Sequence, residues 1–348
     1  MRNFLIYGAN GYTGRLIVNE AVRHGLKPIL AGRNREALDA IAAEFGLTRR
    51  VFDLRKVTDI VRALDDVPLV LHCAGPFSQT AQPMLEACLA MNAHYLDITG
   101  EIDVFAMCHQ AHSRARHQNL IVMPGTGFDV VPTDCVAALL KSRLPGATHL
   151  VLGFEAGGGP SPGTAKTSVE GLARGGRARV NGQLVDVPLG WKTREFAHDG
   201  QVRTAVTIPW GDLYTAHVST GIPNIETYMV VPPAAVARLR SMQRLRPLLA
   251  LRPVQALMKR RIDKKTPGPD ADKRRSTHCY VWGEVHDDKG HDAKFAIVTP
   301  NGYDLTASAA IGIVREVLAN KHPGGYYTPS QLMGHDYILK LPGVRRML

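Results

Sequence analysis

The chain has no uninterrupted apolar run of about 18 residues, so the sequence predicts no membrane-spanning helix. Cysteine is sparse: Cys73, Cys88, Cys108, Cys135 and Cys279 are odd in number and include no Cys-x-x-Cys pair. That pattern excludes a disulfide framework and a zinc knuckle, and points to reduced thiols in the cytoplasm. There is no His-Glu-x-x-His, no Ser-Asp-His order and no clustered carboxylate pair, so neither hydrolysis nor a metal site is expected. A leader is not expected either, because the first strand begins within a few residues of Met1. With 348 residues the chain can bury a substantial core, as two domains or as one large domain with insertions.

What is present centres on the run from Asn3 to Ile17. An apolar strand (Phe4-Leu5-Ile6-Tyr7) meets three glycines spaced Gly8-x-x-Gly11-x-x-Gly14, and a helical pattern follows. Gly8 permits the tight turn, Gly11 lets backbone approach a pyrophosphate, and Gly14 lets the helix pack close to the sheet. The helix start supplies N–H groups and a positive dipole end for phosphate. Gly8, Asn10, Gly11, Tyr12, Thr13 and Gly14 are therefore the expected cofactor cradle; the alternative is a glycine-rich turn with no ligand.

A second strand ends in Gly32-Arg33-Asn34-Arg35. An NAD enzyme places an acidic residue there for the ribose hydroxyls. Here Arg33 and Arg35 stand instead, an arginine fork that suits a 2′-phosphate and favours NADP(H) over NAD. Asn34 is a cofactor candidate and also a helix cap, while Arg33 has the plain alternative of a solvated loop residue. Asp53, ending the third strand, either bonds an adenine amine or starts the next turn. The fourth strand opens into Ala74-Gly75-Pro76, beside the expected cofactor, with His72 and Cys73 read as core.

Strands alternating with helices continue to Met123, six in all, which predicts a Rossmann-type doubly wound parallel sheet. From about residue 135 the rhythm changes. Hairpins turning at Asn181-Gly182, Asp199-Gly200 and Asp287 to Gly290 predict a second, α+β domain with an antiparallel sheet. The expected division is 1–134 for nucleotide binding, 135–300 for substrate, and 301–348 as a helix and tail packing back on the first domain.

The ordered motifs Gly8-Ala9-Asn10-Gly11-Tyr12-Thr13-Gly14-Arg15, Ala31-Gly32-Arg33-Asn34, Gly75-Pro76-Phe77, Tyr95 to Glu101 and Gly127 to Asp134 carry a resemblance. So do Pro209 to Asp212, Ser219 to Asn224 and Gly302 to Ala307. Together they resemble the saccharopine dehydrogenase-like oxidoreductases, over essentially the whole chain. The resemblance implies an NAD(P)-binding domain, a substrate domain and a cleft between them. It is nearer to the trans-acting enoyl reductases and lipid-associated members than to the lysine-pathway enzymes, because no set of arginines for several carboxylates stands in these motifs.

Hydride transfer needs a group that gives or takes a proton. Glu101 and Asp129 end strands five and six, and each has a structural alternative, Glu101 as a dipole partner at a helix start. Tyr303 could donate a phenolic proton or serve as a packed aromatic. His217, expected in a strand of the second domain, is the remaining candidate, and Lys166 follows a glycine-rich loop. The expected activity is reduction of a C=C, C=N or C=O in a small or lipid-like acceptor. A non-catalytic dinucleotide sensor, or a lipid-surface protein with a vestigial cofactor site, is the alternative.

Charge is concentrated. The whole chain carries a net +11, and residues 238–275 hold thirteen Lys/Arg against three Asp. Within them Leu245, Leu248, Leu249, Leu251, Val254, Leu257, Met258 and Ile262 alternate with Arg244, Arg246, Arg252, Lys259, Arg260, Arg261, Lys264 and Lys265. Three readings stand: an ordinary solvated helix pair, a peripheral contact with an anionic membrane, or a contact with an acyl carrier or acyl-CoA. Nucleic acid is not expected, since stacking aromatics are missing there. A homodimer is left open.

Overall fold

The computed structural model describes residues 3–198, 200–265 and 268–347, less the side chains of 197, 198, 252 and 263–265. The chain divides into two compact units, residues 1–131 with 303–333, and residues 132–302 with 334–348.

The first unit alternates strand and helix: β1 (Leu5–Tyr7), α1 (Tyr12–Arg23), β2 (Ile29–Gly32), α2 (Arg35–Phe45), β3 (Arg49–Val51), α3 (Val57–Ala63) and β4 (Leu69–His72). Then come α4 (Phe77–Ala90), β5 (His94–Asp97), α5 (Ile102–Gln110), α6 (His112–His117) and β6 (Ile121–Met123). The strands are short, and their apolar residues are buried whichever way they face: Leu5, Ile6, Leu30, Leu69, Val70 and Leu71 are all enclosed. Burial on both faces is what a parallel sheet covered by helices demands. The spatial order is β3-β2-β1-β4-β5-β6, all parallel. The doubly wound prediction is borne out. Strand order reverses between β1 and β4, and ligands of such sheets collect at the carboxyl ends beside that reversal.

Two local differences appear, and one expected element forms. The helix expected over 104–116 is two, α5 and α6, meeting at Ala111. A seventh strand, β15 (Gly325–Tyr326), pairs with β6; two residues are too few to show a period. The long helix α14 (Gly302–Ala319) buries Leu305, Ala309, Ala310, Ile313 and Val317. Its Thr306 Oγ1 accepts a hydrogen bond from the Phe128 N–H at 2.9 Å.

The second unit contains α7 (Val131–Arg143), β7 (His149–Glu155), α8 (Pro162–Arg174), β8 (Gly176–Val180), β9 (Gln183–Val187), β10 (Thr193–His198) and β11 (Gln201–Thr207). It continues with α9 (Asp212–Thr220), β12 (Asn224–Val230), α10 (Pro233–Met242), α11 (Arg246–Leu249), α12 (Arg252–Lys265), α13 (Ala271–Ser276), β13 (His278–His286) and β14 (Asp292–Pro300). After α15 (Pro329–Met333) in the first unit, α16 (Tyr337–Lys340) and β16 (Arg345–Arg346) return to this one. The path β10-β11-β12-β7-β13-β14-β16 is antiparallel except between β12 and β7, and β8 and β9 form a hairpin against β12. The hairpin between β10 and β11 forms as expected, although Asp199 at its turn lies outside the described residues.

One sheet face gathers Phe196, Tyr280 and Trp282 around Tyr228, Ala205, Ala296 and Val298. The Trp282 ring crosses Gly153 so closely that a Cβ there would sit 2.1 Å from Cζ2. On the other strand register, a Cβ on Gly283 would meet Val136 and Leu140 of α7 at 2.7 Å, so that glycine lets the helix lie down on the sheet.

Two expectations are corrected. Residues 334–348 do not join the nucleotide-binding unit with the rest of the expected 301–348 block: β16 hydrogen-bonds to β14. His217 is on a helix, α9, and not in a strand. Its neighbours Tyr214, Thr215, Val218 and Thr220 favour strands intrinsically, but burial of Asp212, Leu213, Thr215, Ala216 and Thr220 on one helical face decides the conformation.

Candidate functional site

The candidate site is built on the carboxyl ends of the first unit's strands. Gly8 leaves β1 with φ +85°, which only glycine adopts without strain, and a Cβ there would lie 2.9 Å from Ala74 Cβ. The Gly11 N–H donates to Gly8 O at 2.9 Å. A Cβ on Gly14 would sit 2.1 Å from Gly8 O, so no other residue fits without moving the turn. Gly8 and Gly14 thus each have their own steric reason, and a Cβ on Gly11 would press on Gly8 O at 3.2 Å. Gly11 precedes α1 with no side-chain cap, and the first turn has no acidic residue. That leaves the positive end of the helix facing an unblocked, exposed glycine, as an anion site requires.

Around this turn the other candidates take definite places. Asn10 Oδ1 lies over Gly32, 2.9 Å from where a Cβ would be. Arg33, next along, is exposed. Asn34 caps α2, its Oδ1 accepting from the Ala37 N–H at 3.1 Å. Asp53 accepts from the Arg55 N–H at 2.9 Å and from its guanidinium at 2.9–3.1 Å. Those bonds from Arg55 pull its carboxyl down to about 2, with Arg33 adding a smaller attraction. The side chains of Asn34 and Asp53 therefore already serve the turns that carry them. Tyr12 meets Tyr303 edge-on, ring centroids 4.9 Å apart, so the start of α14 is fastened to the glycine turn.

At the β4 end, Ala74 O accepts a hydrogen bond from Thr80 Oγ1 at 2.7 Å, and the Gly75–Pro76 bond is cis. Thr80 also lies 3.0 Å from His72 Nε2. His72 is wholly buried, and that burial pushes its imidazole down to about 3, so it stays neutral as the core reading of this residue implies.

Beyond β5 stands a group of carboxyls. Glu101 accepts from the N–H groups of Phe77 at 2.8 Å and Ser78 at 3.1 Å. It therefore caps α4, across the sheet edge, whereas the sequence pointed to its own helix, α5, which it precedes without a side-chain cap bond. Asp97 accepts from Thr99 N–H and Gly125 N–H, both at 2.9 Å, and from Tyr95 Oη at 2.7 Å. Burial still wins over these bonds and raises it to about 6. Asp129 lays its carboxyl against Gly100, where a Cβ would come within 2.9 Å of Oδ2. Burial, and then the negative Glu101, raise it to about 7.

Gly8 to Gly14, Arg33, Ala74 to Pro76, Glu101, Asp129 and Tyr303 all belong to the first unit. His217 belongs to the second, with Nδ1 2.9 Å from Ile222 O, and so does Lys166, on α8. Sequence reasoning passed over Asp97, Thr80 and Thr306. Asp97 left one local signal, a carboxylate two residues before Thr99 at a strand end, the spacing of an Asx turn. Thr80 and Thr306 left none, because their partners are set by the fold. Among the described residues no group of three His, Cys, Asp or Glu is placed to hold a metal ion. All five cysteines are free.

Residues 4–122 match the family of the saccharopine dehydrogenase NADP binding domain. A human saccharopine dehydrogenase-like oxidoreductase is 23% identical over 174 residues, 44% of this chain and 40% of that protein. A lipid droplet localized protein of Caenorhabditis elegans is 27% identical over 228 residues, 59% of this chain and 51% of that one. The chain thus spans about half the length of these relatives. Apo saccharopine dehydrogenase (L-Glu forming) from Saccharomyces cerevisiae superposes over 100% of both chains with a TM-score of 0.66 at 10% identity, a likeness of fold. Residues 4–122 are thus similar to the saccharopine dehydrogenase NADP binding domain, and the chain as a whole shares the fold of saccharopine dehydrogenase.

Proposed function

We propose that the protein is an NADPH-dependent reductase that delivers hydride to a C=C, C=N or C=O of a small or lipid-like acceptor, trans-acting enoyl reduction included. The observation that carries this reading is the glycine turn at the β1/β4 strand reversal, closed to any Cβ at Gly14 and exposed to solvent at Gly11. The dinucleotide, when bound, supplies the hydride. Gly8, Asn10, Gly11, Tyr12, Thr13 and Gly14 hold its pyrophosphate through backbone N–H groups and the α1 dipole. Arg33 takes the 2′-phosphate, where an NAD enzyme has an acid. Ala74, Gly75 and Pro76 flank the reacting end, and Asn34 and Asp53 shape the adenine end through the turns they stabilise.

Asp129 is the proton donor in this scheme. A carboxyl held near neutrality can both carry a proton at working pH and release it. Glu101 and Tyr303 stand as positioning groups, one fixing the start of α4 and the other bracing Tyr12. His217, with Nδ1 committed to Ile222 O, has only Nε2 to offer a substrate.

Two measurements test the reading. Stereospecifically deuterated NADPH, run against enoyl, imine and carbonyl acceptors, should pass its label to product from one face only. Coenzyme binding without transfer to any acceptor would mark a sensor; no calorimetric heat with either reduced coenzyme would end the redox reading. Arg33→Asp should lower NADPH affinity at least about tenfold more than NADH affinity, the scale of one lost charge-assisted contact. Equal losses would remove the phosphate assignment.

A further inference from the structure

Helices α10 to α12 carry most of the chain's excess charge, and their side chains divide into two populations. In α12, Val254, Gln255, Met258, Lys259 and Ile262 are half-buried, while Pro253, Ala256, Leu257, Arg260 and Arg261 are exposed. Both sets recur at helical spacing, so one face is committed to the fold and the other to its surroundings. On the committed side, Lys259 pairs with Glu170 of α8, and Arg246 donates to the carbonyls of Ala173 and Arg174 at the end of α8. A cation at a helix C-terminus is where the dipole favours it. Arg240 likewise donates to Gly190 O. These basic residues hold the segment down, and Lys259 is removed from the surface that the sequence assigned it to.

The outward set has no such explanation. Among the described residues the exposed leucines are Leu245 (52%), Leu248 (53%), Leu251 (49%) and Leu257 (55%), all within this one stretch. The other exposed large apolar residues, Val57, Val180, Val202 and Met347, are scattered through the chain. Leu245, Leu248 and Leu251 recur every third residue, interleaved with the exposed Arg244 and Pro247. A solvated helix pair would turn its leucines in. A protein partner would call for a continuous apolar patch with a central pocket, whereas here single leucines alternate with arginines. A bilayer interface takes that pattern directly: each leucine enters the acyl boundary separately and each arginine stays at the headgroups.

We propose that the face bearing Leu245, Leu248, Leu251 and Leu257 with Arg244, Arg260 and Arg261 docks on an anionic lipid bilayer. Charge complementarity selects the occupant, since the segment's large positive excess is opposite in sign to phosphatidylserine or phosphatidylglycerol headgroups. The docking is independent of the redox reading and is measured without coenzyme. The full chain should sediment with phosphatidylcholine vesicles containing about one-third phosphatidylserine, and not with phosphatidylcholine alone. Replacing Arg244, Arg260 and Arg261 by Ala should weaken partitioning about a hundred-fold, roughly five-fold for each charge near such a surface. Replacing Leu248, Leu251 and Leu257 by Ser leaves the charge intact and should still weaken it at least about ten-fold. All six positions are exposed, and an unchanged circular dichroism spectrum confirms the fold of both variants. Failure of the native chain to sediment with the anionic vesicles, or full retention by both variants, overturns the proposal.

Discussion

Two glycines in this molecule are equally crowded. A Cβ on Gly14 would lie 2.1 Å from Gly8 O, and a Cβ on Gly153 would lie 2.1 Å from Trp282 Cζ2. In the parallel sheet the obstacle is backbone, belonging to the turn that the helix must approach. In the antiparallel sheet it is an aromatic ring lying across a strand. Acidic groups differ in the same way. Asp97 and Glu101 accept from main-chain N–H groups, and Asp97 also from a buried tyrosine hydroxyl. Glu155, Glu226 and Glu284 of the second unit pair instead with cationic side chains from non-adjacent strands or their flanks: Arg203 of β11, Lys192 just before β10, and Arg194 of β10. The first sheet arranges its backbone around an edge, while the second arranges side chains across a face. Burial lifts Asp97 to about 6 and Asp129 to about 7, and carboxyls raised in this way are the ones able to exchange protons near neutrality.

The largest effect should come from Gly14→Ala. Its obstacles are Gly8 O, Gly8 C and Ala9 Cα, none able to rotate aside. We expect a loss of at least about 3 kcal/mol, the upper range for overpacking, together with loss of NADPH binding by calorimetry. A folded Gly14→Ala protein with full coenzyme affinity would break the comparison. Glu101→Ala comes next. It strips the acceptor from the Phe77 N–H, which is buried, and from Ser78, for about 2–3 kcal/mol in urea unfolding, with Glu101→Gln recovering part. Gly153→Ala should cost about 1–3 kcal/mol, because Trp282 must leave its place 4.2 Å from Phe196. Its unfolding midpoint falls while coenzyme affinity of the folded protein stays unchanged, which separates a packing glycine from a ligand-facing one.

The same contrast explains what could be read in advance. The glycine turn, the strand-helix alternation and the hairpin at Asn181-Gly182 are local patterns, and each formed where the residues placed it. The Asn34 cap was legible for the same reason. Glu101 was placed correctly at a strand end but given the wrong helix, because its partner lies 24 residues back along the chain. Helix α9 was missed since its intrinsic preferences oppose its tertiary burial. The short β16 carries two arginines and no apolar period, so only its pairing with β14 reveals it. Lys259 looked like its neighbours Arg260 and Arg261 until Glu170 was seen beneath it.

The smallest expected effect is also the one that tests whether the buried carboxyls at this edge trade protons. Asp129 is half-buried as a residue, yet its carboxyl faces Gly100 and lies within reach of Glu101's charge, and its pKa is raised to about 7. Unfolded, it would titrate near the ordinary carboxylate value of about 4. Between those values the folded protein keeps a proton that the unfolded chain has released, so stability conferred by the protonated form is lost as pH rises through about 4 to 7. Discounted for the water reaching a half-buried residue, the change is about 1 kcal/mol over that window. Asp129→Asn keeps the shape over Gly100 and cannot titrate, so its unfolding free energy in urea should fall less steeply with pH than that of the native chain, leaving a residual slope from Asp97, which is raised to about 6. Parallel curves for the two proteins would mean that Asp129 titrates alike in the folded and unfolded chain, and the proton-donor assignment would pass to Tyr303.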